Sequence, residues 1–137
     1  MEIILFVGKA LFSLLFISSG INHLKGADAM AGYAASKGVP AAKLMVQLSG
    51  ILILVGGVLL ITGYWADLGA LAIALFTIVA AIQMHPFWKE TDPMAKMNET
   101  IGFFKDISLG GAALAIFALY HLIEAANLTS LVGSLFF

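Results

Sequence analysis

The sequence predicts an all-α integral membrane protein, a bundle of four transmembrane helices with two long loops on one membrane face. Three observations predict it. Hydrophobic residues make up 61% of the 137 positions and charged residues 11%, outside the usual soluble balance, and the mean hydropathy is +1.03. Eight acidic and seven basic residues cannot supply the polar surface that a water-soluble domain of this size needs. Four continuous apolar runs, finally, approach the roughly 20 residues (about 17 at the short end) required to cross a ~30 Å hydrocarbon core. Barrel strands would alternate lumen-facing and lipid-facing residues, so continuous runs argue for helices.

Residues 1–137 read as a single transmembrane domain with spans at roughly 3–22, 44–61, 68–84 and 107–123. The first span holds one charge, Lys9. The start of the chain lacks a basic region and a small-residue cleavage pattern, so its first apolar run reads as a retained span rather than a signal peptide. After it, Asp28 is placed to cap a short interfacial helix running to Lys37, Gly38 to end that helix, and Pro40 to open span two. Spans two and three are joined by only Thr62-Gly63-Tyr64-Trp65-Ala66-Asp67, a tight turn with a helix-ending glycine and aromatics suited to the headgroup layer. The segment from Pro86 to Asp106, with Pro86, Pro93 and many of the acidic residues, reads as irregular and wet. The apolar stretch Leu128–Phe137 is too short to span and is expected to lie along the membrane surface or on the bundle.

Lys25, Lys37, Lys43, Lys89, Lys96 and Lys105 lie on the long-loop side, against Lys9 near the other face. The positive-inside rule then places both long loops in the cytoplasm and both termini outside. Small residues recur at helical spacing: Gly50 and Gly57 in span two, Ala66, Ala70 and Ala74 in span three, Gly111 and Ala115 in span four. Such stripes let helices approach closely in lipid, and they allow a homodimer without requiring one. His23 and Lys43 bracket the first long loop as His85 and Lys105 bracket the second, at a common offset of 62, a faint echo of internal duplication.

Composition excludes several functions. All basic residues are lysines and the net charge is −1, so no arginine-bearing basic stripe for nucleic acid exists. The absence of cysteine removes thiolate catalysis, thiolate metal sites and disulfides. A redox role therefore needs a bound cofactor or a partner. Nucleotide-binding glycine motifs, the P-loop and the nucleophile elbow are all missing. A transporter's broken midplane helices are missing as well.

Chemistry concentrates where all four spans bring polar groups to the long-loop face. Asn22 and His23 end span one, Lys43 and Gln47 begin span two, Gln83, His85 and Trp88 surround the end of span three, and Lys105 and Asp106 begin span four. Polar groups in a span are costly and need a partner or a purpose. Together they predict a shallow pocket, apolar below and polar above, suited to an amphipathic ligand of which a quinone is the redox example. Its carbonyls accept from His or Lys, and its ring stacks on an aromatic such as Trp88 or Phe87. The competing reading is that interfacial His, Lys and Trp anchor helix ends. His23 and His85 are the right pair in principle for a metal or haem, but no third histidine or metal-binding carboxylate motif accompanies them, so neither is expected. On the opposite face, His121 and Glu124 stand three apart on one helix, and a Lys9–Glu124 pair would neutralise two costly charges, with a proton relay as the sharper alternative.

The ordered set Phe16-Ile17-Ser18-Ser19-Gly20-Ile21-Asn22-His23, Gly38-Val39-Pro40, His85-Pro86-Phe87-Trp88 and Phe103-Phe104-Lys105-Asp106-Ile107-Ser108-Leu109-Gly110-Gly111 resembles the DoxX family of small membrane proteins. The resemblance implies four helices in the cell membrane and an association with quinone-linked sulfur and oxidative-stress metabolism. Its motifs fall on Ser19, Gly20, His23, His85, Phe87, Trp88, Lys105 and Gly110. The expected function is a small membrane subunit, more accessory than stand-alone enzyme, that binds a quinone or other lipid-like ligand and supports a redox protein partner. The alternative is a docking protein whose long loops recruit a soluble partner without a ligand.

Overall fold

The computed structural model describes residues 2–125, with side chains described for 3–123. Among these, five α-helices occur: α1 (Glu2–Lys25), α2 (Ala27–Ser36), α3 (Ala42–Thr62), α4 (Ala66–Met84) and α5 (Pro93–Ala125), with a 3-10 turn at Phe87–Lys89 before the last. Four of them are long and apolar enough to cross a membrane, and α2, at 10 residues, is not. The expected all-α membrane bundle is what forms. The calls on Leu128–Phe137 and on the Glu124 side chain fall outside the described residues.

Neighbouring helices α1 and α3, α3 and α4, and α4 and α5 pack closely, and glycine makes this possible. A Cβ at Gly20 would lie 2.7 Å from the Gly50 carbonyl oxygen, and one at Gly50 would lie 2.7 Å from His23 Cβ, so α1 and α3 meet backbone to backbone. Two turns further on, Gly57 faces α1, while its neighbour Gly56 faces Gly69 of α4. Adjacent residues on a helix point about 100° apart, which lets α3 serve both partners. In lipid such contacts hold a bundle through dispersion rather than water exclusion. Ala66, Ala70 and Ala74 are buried as the stripe predicts, together with Ile53, Leu60 and Ile73. The α5 expectation needs correction. Gly111 and Ala115 face outward with open space beyond Gly111, and the contact is made one residue earlier, where a Cβ on Gly110 would lie 3.0 Å from the Thr77 hydroxyl.

Three further expectations are overturned. Asp28 does not cap α2; it lies inside the first turn and pairs with Lys43 at 2.6 Å, while Gly26 takes the cap position without a side-chain bond. Pro40 does not open α3, because Ala41 is left-handed (φ 46°) and helical dihedrals begin only at Ala42. The segment 93–106 is not irregular: α5 starts at Pro93. Asp92 accepts from the Ala95 amide at 2.7 Å, and Pro93 takes the first helical position, where its missing N–H leaves nothing unbonded. At 33 residues, α5 is about 50 Å long and outreaches a ~30 Å hydrocarbon core, so its first turns rise beyond the ends of its neighbours. The glycine turns hold as read: Gly38 ends α2 and Gly63 ends α3, both at positive φ. Helix α2 then lies across the long-loop end, packing Ala27 and Ala34 against Val46 of α3 and Met84 of α4.

Candidate functional site

His85 follows the last residue of α4, and its imidazole lies against α5 at Gly102, where any Cβ would come within 2.6 Å of Nδ1. One turn to either side of this gap α5 carries a carboxylate. Nδ1 bonds to Glu99 Oε2 at 2.7 Å, and Nε2 lies 3.6 Å from Asp106 Oδ2. Positions 99, 102 and 106 share one helical face, so a single stripe of α5 supplies acid, gap and acid to seat one imidazole. An ionised Glu99 only accepts, which puts a proton on Nδ1.

The chain of charges continues outward. Lys37, at the end of α2, donates to Glu99 Oε1 at 2.7 Å and lies 3.6 Å from Glu90. The Lys37 and Glu99 side chains are only 14% and 15% exposed, which strengthens a hydrogen-bonded ion pair relative to one in water. That bond to Glu99 is the main reason the Lys37 ammonium holds its proton above the usual lysine range. The Gln83 amide donates to the Lys37 carbonyl at 2.8 Å and so ties α2 to α4. The result is one connected path, Asp106–His85–Glu99–Lys37–Glu90, running from the interior of the bundle to its rim.

Two surfaces adjoin this path. Phe87, Trp88, Phe103 and Phe104 form a cluster with ring centroids 5.2–5.8 Å apart along its edge-to-face contacts, and Trp88 is half exposed. A cleft of about 550 Å³ opens between the end of α2 and the end of α4, lined by Ser36, Lys37, Gly38, Ile82, Gln83, Pro86, Lys89 and Glu90. Its volume falls in the range of small-molecule sites, about 300–1,000 Å³.

The structure gathers His85, Asp106, Gln83 and Trp88 of the sequence-read residues at this place. The others stand apart. His23 bonds to the Ser49 hydroxyl at 2.9 Å and meets the Phe76 ring edge-on at 5.9 Å. Phe76 precedes His85 by nine residues on the same run, about 13 Å along a helix axis, so the two histidines occupy different depths rather than one ring. Because Ser49 gives its only proton to the Val46 carbonyl at 2.9 Å, the His23 Nδ1 is the donor to Ser49. Lys43 is exposed on Asp28. Asn22 and Lys105 are exposed, and Gln47 is half-buried. On the other face, His121 lies 4.0 Å from Asp67, a partner the sequence reading had not named.

Lys37, Glu90, Glu99 and Gly102 were missed. The signal was present, since Glu99, Gly102 and Asp106 have one-face helical spacing, but reading 93–106 as irregular hid it. Among the described residues no group of three or more His, Cys, Asp and Glu side chains is arranged to hold a metal ion.

Fold and site together define an α-helical multi-pass membrane protein with a charged, histidine-centred seat at one mouth of its bundle. The DoxX family model matches residues 4–86, more than half of the chain, and the chain belongs to the DoxX family. The matched region includes Ser19, Gly20, His23 and His85 and stops before α5. No curated protein and no solved structure shows a significant match to the chain.

Proposed function

We propose that this protein binds a quinone or a similar lipid-like carbonyl compound at its long-loop mouth and supplies protons to it, while a redox protein partner supplies the electrons. The carrying observation is the seat of His85 between Glu99 and Asp106. Quinone reduction consumes two electrons and two protons. A path of alternating acid and base, hydrogen-bonded from His85 through Glu99 to Lys37 and extended by 3.6 Å contacts to Asp106 and Glu90, is a means of delivering the protons from the rim into the bundle. The cleft beside Lys37 and Gln83 offers polar groups for the head, and the exposed ring of Trp88 offers a stacking surface beside it. His23, deeper and partnered by a neutral hydroxyl, serves packing. The lysine bias supports a cytoplasmic mouth with both termini outside, and the family resemblance supports the inner membrane as its location.

The test is a titration in lipid nanodiscs. With Trp65→Phe removing the other tryptophan, quenching of Trp88 by a short-chain quinone should saturate, and His85→Ala or Glu99→Gln should weaken it by about tenfold or more. Linear, unsaturable quenching unaffected by both substitutions would sink the reading and leave the docking alternative, in which the long loops hold a protein and no ligand.

A further inference from the structure

The outward face of α5 departs from its surroundings twice, in opposite directions. Along the bilayer, the exposed faces of the other spans carry large apolar side chains, such as Leu11 and Leu14 on α1, Ile51 and Val55 on α3, and Leu75 and Val79 on α4. On α5 the middle of the exposed face is Ser108, Gly111, Ala115 and Ala118, and a Cβ on Gly111 would meet nothing within 4 Å. A glycine inside a helix costs about 1 kcal/mol relative to alanine, and lipid alone gives no reason for one.

At the long-loop end the departure is reversed. Helix α4, at 19 residues or about 28 Å, fills the hydrocarbon core, and its end is level with Gly102 of α5, against which His85 lies. Met94 stands about 12 Å beyond Gly102 along the axis of α5, past a headgroup layer about 5–8 Å deep. Met94, Met97 and Ile101 are each more than half exposed, whereas a helix rising into water ordinarily presents polar residues on its outer face. The face is thus small where lipid suits large residues, and apolar where lipid chains do not reach.

Both departures lie on one stripe. Between 94 and 122 these exposed positions follow one another in steps that alternate three and four residues without a break, with Phe104 joining the methionine end to Ser108 and Leu122 closing the series. This is the a/d seam of a heptad repeat, about 42 Å long. Ala113 and Tyr120, which α5 buries in its own bundle, take the heptad position directly opposite. A seam of this period packs along a partner helix of the same period. Two copies in one membrane lie parallel and at one depth, so a two-fold axis sets every seam residue beside its own counterpart. The flanking positions Asn98 and Thr100 are uncharged, and in a parallel pair Lys105 falls opposite the threonine rather than another lysine.

We infer that α5 is a homodimerisation helix, which packs its 94–122 seam against the same seam of a second copy as a left-handed coiled coil that begins outside the bilayer and continues through it. The small residues let the two backbones approach in lipid, and the methionines, which adapt to irregular gaps, cover one another above it. The interface is independent of the quinone reading.

The chain has no cysteine, so single substitutions can be scanned directly. In liposomes, oxidation should cross-link Met97→Cys, Ile101→Cys and Ala115→Cys into dimers and leave Lys96→Cys and Val79→Cys, exposed on other faces, as monomers. Energy transfer between labelled copies, followed on dilution with lipid, should give Gly111→Leu a dissociation constant at least about tenfold weaker, because the added side chain holds the backbones apart. Gly8→Leu, at another exposed glycine with open space around it, should dimerise like the parent. Neither variant should lower the thermal midpoint of the dissociated protein, which separates a lost interface from a damaged fold. Equal cross-linking at seam and control positions, or energy transfer no greater than random encounter gives, would overturn the inference. So would an adduct of Met97→Cys with a different membrane protein in place of the dimer, which would assign the seam to a foreign helix.

Discussion

His23 and His85 occupy corresponding places in the two halves of the molecule, and their surroundings differ in one respect that matters. Each stands at the end of a span and lies against a glycine of the next span, His23 against Gly50 and His85 against Gly102. His23 then meets a neutral hydroxyl that is already committed to the backbone. His85 meets two carboxylates, one of which carries on to a lysine. The same residue type at a span end thus meets a neutral partner in one half and charged partners in the other.

The comparison breaks most visibly at the two glycines. Gly50→Ala drives a methyl into His23 Cβ at 2.7 Å and towards the Gly20 carbonyl at 3.1 Å, neither of which moves without shifting a helix. It should lower the unfolding free energy by about 2–3 kcal/mol, read as a lower denaturation midpoint in detergent. Gly102→Ala meets only a ring, which can swing away. It should cost about 1–2 kcal/mol yet abolish saturable quinone binding. If Gly102→Ala bound quinone normally, the seat on α5 would be incidental.

Next in size are the partners. Glu99→Gln keeps the shape but leaves Lys37 without its main counter-charge and should cost about 1–3 kcal/mol along with the loss of quinone affinity. Ser49→Ala removes a neutral bond and should cost about 1 kcal/mol with quinone binding intact. Equal effects from the two on binding would erase the distinction between the histidines.

The smallest effect concerns Lys37 and pH. Its folded state holds the proton above the usual lysine value of 10.5, so its contribution is complete below that value and is lost as pH rises through the higher folded one. Stability should therefore fall at strongly alkaline pH, and Lys37→Met should remove that part of the decline. Hydrogen exchange along α2 should report it first, since Lys37 and the Gln83 bond to its carbonyl fasten the end of that helix.

Much of the bundle was legible in the residues because lipid imposes a single demand: a long apolar run must satisfy its own backbone and so becomes a helix. The helix ends set by Gly38 and Gly63, and the buried stripe Ala66, Ala70, Ala74, followed from local rules that need no partner. What misled was also local. Prolines and acidic residues make 86–106 read as irregular, whereas Asp92 makes Pro93 a helix start, and the irregular reading hides the helical spacing of Glu99 and Gly102. The Gly111 and Ala115 stripe was sound as a spacing but pointed outward, since a period gives a face and not the direction in which it looks.

By itself, then, the sequence determined the solvent, the helix count and the end of the bundle where polar groups collect, because each is fixed by composition and by hydrogen bonding within a segment. Only the tertiary structure decided which polar groups meet. It placed His23 and His85 at different depths, gave one a hydroxyl and the other two acids, and brought Lys37, a distant helix-end residue, onto Glu99. That choice rests on the rotation and axial offset of each helix against its neighbours, set here by backbone contacts at Gly20, Gly50, Gly56 and Gly69.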